Sequence, residues 1–182
     1  MIMDGLLLLD GSVSAGVFTG TAVNPTNTFT SGTPTASANA IDLSQLASSA
    51  KGYGRDIGVG DDIELVCMVT TTFQGSSSTL QVQVQYAPDN GSGGAGTYVT
   101  VAQSIAYALS ALTAGSELLR IKVPPMTPTS SFGSALPKFM QMNYVVGTAN
   151  MSAGAIASFI VIDKTALGPQ MGYQSGYSNQ YL

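Results

Sequence analysis

The most constraining stretch of this chain is Thr79–Tyr86, where Leu80, Val82, Val84 and Tyr86 alternate with Gln81, Gln83 and Gln85. A period of two puts the four apolar side chains on one face of a β-strand and the three amides on the other. A helix cannot use that pattern, because its 3.6-residue turn would scatter both sets around the axis. The segment therefore covers a core with one face and presents uncharged amides with the other.

The neighbouring segments extend the same reading. Ile63–Phe73 is rich in β-branched residues and apolar on both faces, as a strand buried in a sandwich would be. The turn-like Gln74–Ser78 between the two predicts a hairpin. Further strands are expected at Ser12–Val23, Ala38–Leu43, Tyr98–Ala102, Leu118–Val123, Phe139–Val146 and Ala155–Asp163. In Leu118–Val123 the residues Leu119, Ile121 and Val123 point inward and Arg120 and Lys122 outward, and Pro124, Pro125 and Pro128 stop the strand. Asn24–Ser37, Pro88–Gly96 and Thr127–Ser134 read as loops, and the small-residue run Gly147–Gly154 joins the last two strands. Ile105–Thr113 is ambiguous: Ile105, Leu109 and Leu112 fit a helical face, whereas Ser104–Ala108 fits a strand. About eight strands at regular spacing predict an all-β fold, an antiparallel β-sandwich or jelly roll with extended N- and C-terminal segments.

Residues 1–167 form one domain in this reading, with a long loop at 24–37, and residues 168–182 form a Tyr/Gly-rich C-terminal arm. Tyr173, Tyr177 and Tyr181 recur every fourth residue, but Gly172 and Gly176 argue against a stable helix. Two readings of the arm stay open: a frayed end, or an arm whose tyrosines anchor in a neighbouring subunit.

Composition removes most chemistry. Charged residues make up only 9% of the chain, against roughly a quarter in an ordinary soluble domain, and histidine is absent. Without histidine no Ser-His-Asp triad can form, and the commonest general base is missing. Six lysines and arginines within a net charge of −4 cannot neutralise a row of phosphates, so no direct nucleic-acid partner is expected. No stretch reaches the ~20 apolar residues of a membrane span, so no membrane partner is expected either. The N-terminal MIMDGLLLLD lacks the positive region and the long apolar core of a secretion signal. Cys67, alone in an apolar run, reads as a small buried hydrophobe. Asp61, Asp62 and Glu64 could contribute to a cation site, yet their spacing matches no EF-hand, and a solvated strand entry countered by Arg55 is the simpler reading. The glycine-rich Gly91–Gly96 is followed by no Lys-Ser/Thr pair and no helix, which excludes a phosphate cradle of the P-loop type. No metal, cofactor or catalytic residue is expected, and the chain reads as a non-enzyme.

The order of segments also carries a resemblance. Gly54–Phe73 (GRDIGVGDDIELVCMVTTTF), followed by Thr79–Asp89 (TLQVQVQYAPD) and closed by Lys138–Asp163 (KFMQMNYVVGTANMSAGAIASFIVID), resembles the Bbp16-like capsid cement proteins of tailed bacteriophages. The opening MIMDGLLLLD and Ala40–Leu43 also fit, so the resemblance runs to about Lys164. It implies a jelly-roll virion protein, made in the host cytoplasm, that sits on the outer surface of a phage head. Such a protein clamps adjacent major capsid protein subunits as a homodimer or homotrimer. The loop at 24–37 and the C-terminal arm depart from the family pattern. On this reading the interface candidates are Leu6, Leu8, Phe29, Tyr173, Tyr177 and Tyr181. The alternative is a carbohydrate-binding, lectin-like jelly roll, against which the absence of Trp and the scarcity of aromatics outside strands and tail both weigh.

Overall fold

The computed structural model describes residues 8–14, 17–19, 21–22, 31–42, 63–123 and 137–162. Six short strands come first: β1 (Leu8–Asp10), β2 (Ser12–Ser14), β3 (Val17–Thr19), β4 (Thr21–Ala22), β5 (Thr35–Ala36) and β6 (Ile41–Asp42). The longer ones follow: β7 (Ile63–Gly75), β8 (Thr79–Ala87), β9 (Val99–Gln103), the two-residue β10 (Tyr107–Ala108), β11 (Glu117–Lys122), β12 (Phe139–Gly147) and β13 (Met151–Ile162). Among the described residues the one helical element is a 3-10 turn at Leu109–Ala111. The all-β antiparallel expectation therefore holds, and the extra strands are pairs and triplets that the sequence pattern is too short to mark.

Two sheets pack face to face. The first runs β1-β13-β7-β11, with β4 also on β13; the second runs β10-β8-β12-β5, with β9 also on β8 and β6 also on β12. β2 and β3 form a small separate hairpin. The inward residues of β8 (Leu80, Val82, Val84, Tyr86) and of β12 (Met140, Met142, Tyr144, Val146) meet Leu65, Cys67, Val69 and Phe73 of β7 and Ile156 and Ile160 of β13. Most of these side chains are less than 3% exposed. Burying each large aliphatic one contributes about 1.5–3 kcal/mol, so the period-two pattern of β8 is itself a major source of stability.

The expected hairpin between Ile63–Phe73 and Thr79–Tyr86 does not form. β7 pairs with β13 and β11, while β8 pairs with β12, β9 and β10, so the chain crosses from one sheet to the other at residues 76–78. The reason lies in the outward faces. β7 carries Val66 and Met68 on its outer side, and β13 carries Ala157, Phe159 and Val161, which form a second buried apolar cluster with Leu8. β8 carries three glutamines there. A β7–β8 hairpin would set those amides beside that dry cluster, so strands sort by the character of both faces. β12 and β13 cross between sheets in the same way, and the two corners touch: Ser78 Oγ donates to the Asn150 carbonyl at 3.1 Å. Gly154, at φ +135°, lies under the Phe73 ring, where a Cβ would come within 2.5 Å of it.

Ile105–Thr113 becomes neither the helix nor the strand alone: β10 leads into the 3-10 turn, Leu112 is buried and Ile105 stands 69% exposed. A register shift between Glu117 and Leu119 lets both Leu118 and Leu119 reach the core, while Arg120 and Lys122 stay outside it.

Candidate functional site

The wet face of the second sheet is the described surface that chemistry singles out. β8 and β12 pair over nine residues, which sets Gln85 opposite Gln141, Gln83 opposite Asn143 and Gln81 opposite Val145. On the far side of β8, Gln103 of β9 lies opposite Gln83 and Thr100 opposite Gln85. These side chains bond to one another across three strands. Asn143 Nδ2 donates to Gln83 Oε1 at 2.8 Å, and Gln141 Nε2 to Gln85 Oε1 at 2.9 Å. Gln85 Nε2 donates to Thr100 Oγ1 at 3.2 Å, Thr100 Oγ1 to Gln83 Oε1 at 3.4 Å, and Gln83 Nε2 to Gln103 Oε1 at 3.5 Å. Gln81 Nε2 reaches the Ser104 carbonyl at 2.9 Å. Each amide holds its neighbour's rotamer, so the face is ordered before anything binds it.

Charge collects at one end of this face. Asp42 of β6 lies opposite Phe139, and Lys138 Nζ pairs with Asp89 at 2.5 Å while standing 5.3 Å from the Phe139 ring centroid. The Lys138 ammonium, and then the N–H groups of Gly91 and Gly93, hold the Asp89 carboxyl below its ordinary value. The Pro88–Gly96 loop is tied internally. Asp89 Oδ1 accepts from Gly91 and Gly93, and Asn90 Oδ1 from Ser92 and Gly94, at 2.8–3.2 Å.

A second polar group lies inside the sandwich. Tyr144 of β12 donates its hydroxyl proton to Asp10 Oδ2, so at the 2.7 Å contact with Ser158 Oγ the serine is the donor. Asp10 Oδ1 accepts the Ala38 N–H at 2.9 Å. A register shift between Leu8 and Asp10 makes this possible, since Leu9 and Asp10 both end on the interior side. Burial pushes the neighbouring Cys67 thiol up to about 12, and the Tyr144 phenol is raised as well, by burial first and then by the nearby Cys67 and Asp10. Asp10, Tyr144, Ser158 and Cys67 are at most 3% exposed, so no substrate reaches them in the folded state. The cluster ties the edge strand β1 and residue 38 to both sheets.

Of the interface candidates, Leu8 lies on β1, 6% exposed, in the outer cluster with Val66 and Phe159. Leu6, Phe29, Tyr173, Tyr177 and Tyr181 lie outside the described residues, as do Asp61, Asp62 and Arg55. Glu64 is accompanied by Arg120, whose Nη1 stands 3.7 Å from Glu64 Oε2 while its other donors hold Glu117 bidentately. Among the described residues no three metal-ligating side chains come together, and no helix is long and apolar enough to cross a membrane. The sequence displays the glutamines of β8; their partners on β12 and β9 depend on long-range register, which the pattern does not encode.

Fold and surface together define an antiparallel β-sandwich protein whose described surface is organised around uncharged hydrogen bonding. The chain belongs to the Bbp16 family, a phage-associated family whose model matches residues 27–160. None of the curated proteins matches it.

Proposed function

We propose that this protein is a virion structural protein, a cement that binds the outer surface of a phage head and clamps adjacent major capsid protein subunits. The observation that carries the reading is the family match, made by a chain with 9% charged residues and no histidine. The mechanism is physical. Each copy adds one modest interface across a seam between subunits, and many copies together raise the free energy needed to part them under internal pressure. Low charge keeps the desolvation cost of each contact small, and amide and hydroxyl faces suit the wet interfaces typical of non-obligate complexes. The carbohydrate-binding alternative calls for an exposed ring to stack on a sugar, and among the described residues the exposed large apolar side chain is Ile105. A co-sedimentation assay tests the proposal: purified protein is expected to bind expanded heads and to bind isolated capsid subunits far more weakly. Equal binding to both removes the clamp.

A further inference from the structure

We infer that the amide face of β8, β12 and β9 is the surface that meets the shell, and that it takes an uncharged protein surface rich in hydroxyl, amide and backbone hydrogen-bonding groups. This assignment rests on the cement reading and names the contact within it. Three features of the face support it.

The first is charge. Gln81, Gln83, Gln85, Gln103, Gln141 and Asn143 carry none, and the charged Asp42, Asp89 and Lys138 lie at its end. A neutral centre with charge confined to one end shares one trait of protein-binding patches, whose core is depleted of charged residues. The same neutrality disfavours a polyanion such as nucleic acid as occupant.

The second is unspent bonding capacity. Among the described residues, the carbonyl oxygens of Gln81 and Gln141 accept no hydrogen bond, and each of their amide nitrogens spends one of its two N–H groups within the protein, while Asn143, 6% exposed, lies beneath the face and props Gln83. The face therefore offers acceptors and donors already fixed in place, and a partner bringing hydroxyls, amides or backbone groups completes them.

The third is size. Strands β9, β8, β12 and β5 at ~4.8 Å spacing, over the nine-residue overlap of β8 and β12, give a face of about 500 Å². A stable pair of proteins buries about 800 Å² per partner, so a self-dimer through this face alone is too small to persist. A repeating shell removes that difficulty. A copy held by this face and by any second contact binds with the effective concentration of a tethered pair.

The test uses isosteric substitutions that place a carboxylate where an amide stood. Gln83→Glu combined with Gln141→Glu keeps shape and acceptors but introduces charge and removes donors. Apparent affinity for expanded heads is expected to fall by at least about tenfold, since an unpaired charge is costly in a desolvated contact. The urea midpoint, measured in parallel, is expected to fall by less than about 1 M, since only the two bonds donated by Gln83 and Gln141 at a partly exposed face are lost, and binding is read without denaturant. Should the double variant fold poorly, Gln103→Glu serves instead, because Gln103 is exposed and its side chain only accepts. Parent binding is expected to change less than about threefold between 50 and 500 mM salt, as befits a neutral contact. Undiminished binding by the folded variant overturns the assignment while leaving the cement reading standing, and so does steep salt dependence. Failure of the parent protein to bind heads overturns both. A parent dimer that the variant converts to monomer, or a glycan-array signal that the variant loses, assigns the face to a second copy or to a sugar and equally overturns it.

Discussion

Replacing Tyr144 with phenylalanine removes one oxygen from the centre of the sandwich, and its cost can be worked from the contacts. The hydroxyl donates to the buried Asp10 carboxylate and accepts from Ser158. A hydrogen bond to a charged group contributes about 1.5–3 kcal/mol and a neutral one about 0.5–1.5 kcal/mol. Both partners stay sealed in the variant, at 3% and 0% exposure, so water cannot replace the lost bonds. The expected destabilisation is about 2–4 kcal/mol, a large part of a total that is commonly 5–15 kcal/mol. With a urea m-value near 2 kcal/mol/M, the midpoint falls by about 1–2 M. The chain has no tryptophan, so circular dichroism follows the transition. A double-mutant cycle with Asp10→Ala isolates the pair, and a coupling of at least about 1 kcal/mol is expected between groups in direct contact. A midpoint shift below about 0.25 M at unchanged m would refute the reasoning, because the tie between β1 and β12 would then carry no weight.

Cys67 tests the same interior by a different probe. Its folded thiol is pushed up to about 12 from an ordinary 9.0, so at pH 8 a thiol reagent is expected to modify it only as fast as the protein unfolds. Between pH 9 and 12 the unfolded thiol ionises and the folded one does not. The unfolded state then binds fewer protons, and stability falls as pH rises, by at most about 1.4 kcal/mol per pH unit from this group. Comparing urea midpoints at pH 8 and 10 for the parent and for Cys67→Ala reads the difference; equal slopes contradict it. Gly154→Ala is expected to cost about 2–5 kcal/mol, since the residue sits at φ +135° and its Cβ would overlap the Phe73 ring. A thermal midpoint unchanged in that variant removes the close approach of β13 to β7. By contrast Ile105→Ser, at a position 69% exposed, is expected to move stability by less than about 0.5 kcal/mol, which chemical denaturation checks.

Much of this fold is written in local pattern, and what is not written is long-range. The alternation in β8 specified both its buried face and its amide face, and the apolar run of β7 showed that both its faces would be dry. Those same facts exclude the β7–β8 hairpin, but seeing this required knowing that β13 shares the dryness of β7 and β12 the wet face of β8. The turn residues after Phe73 gave the opposite signal, and sheet membership followed the side chains. Asp10 shows a second limit. Flanking an apolar run, it looks like a solvated charge, and only the shift in register between Leu8 and Asp10 turns it inward to Tyr144, 134 residues away. The amide ladder is the third case. Gln141 and Asn143 alternate with Met140, Met142 and Tyr144, which marks them as outward, but they join a ladder only when β12 aligns them with Gln85 and Gln83.

The most direct measurement is a cryo-electron microscopy reconstruction of heads decorated with this protein. The sheet built on β8 and β12 is expected to face the shell, with Gln81, Gln103 and Gln141 within hydrogen-bonding distance of uncharged groups on capsid subunits. A reconstruction in which that sheet points to solvent, with the protein held through other surfaces, contradicts it.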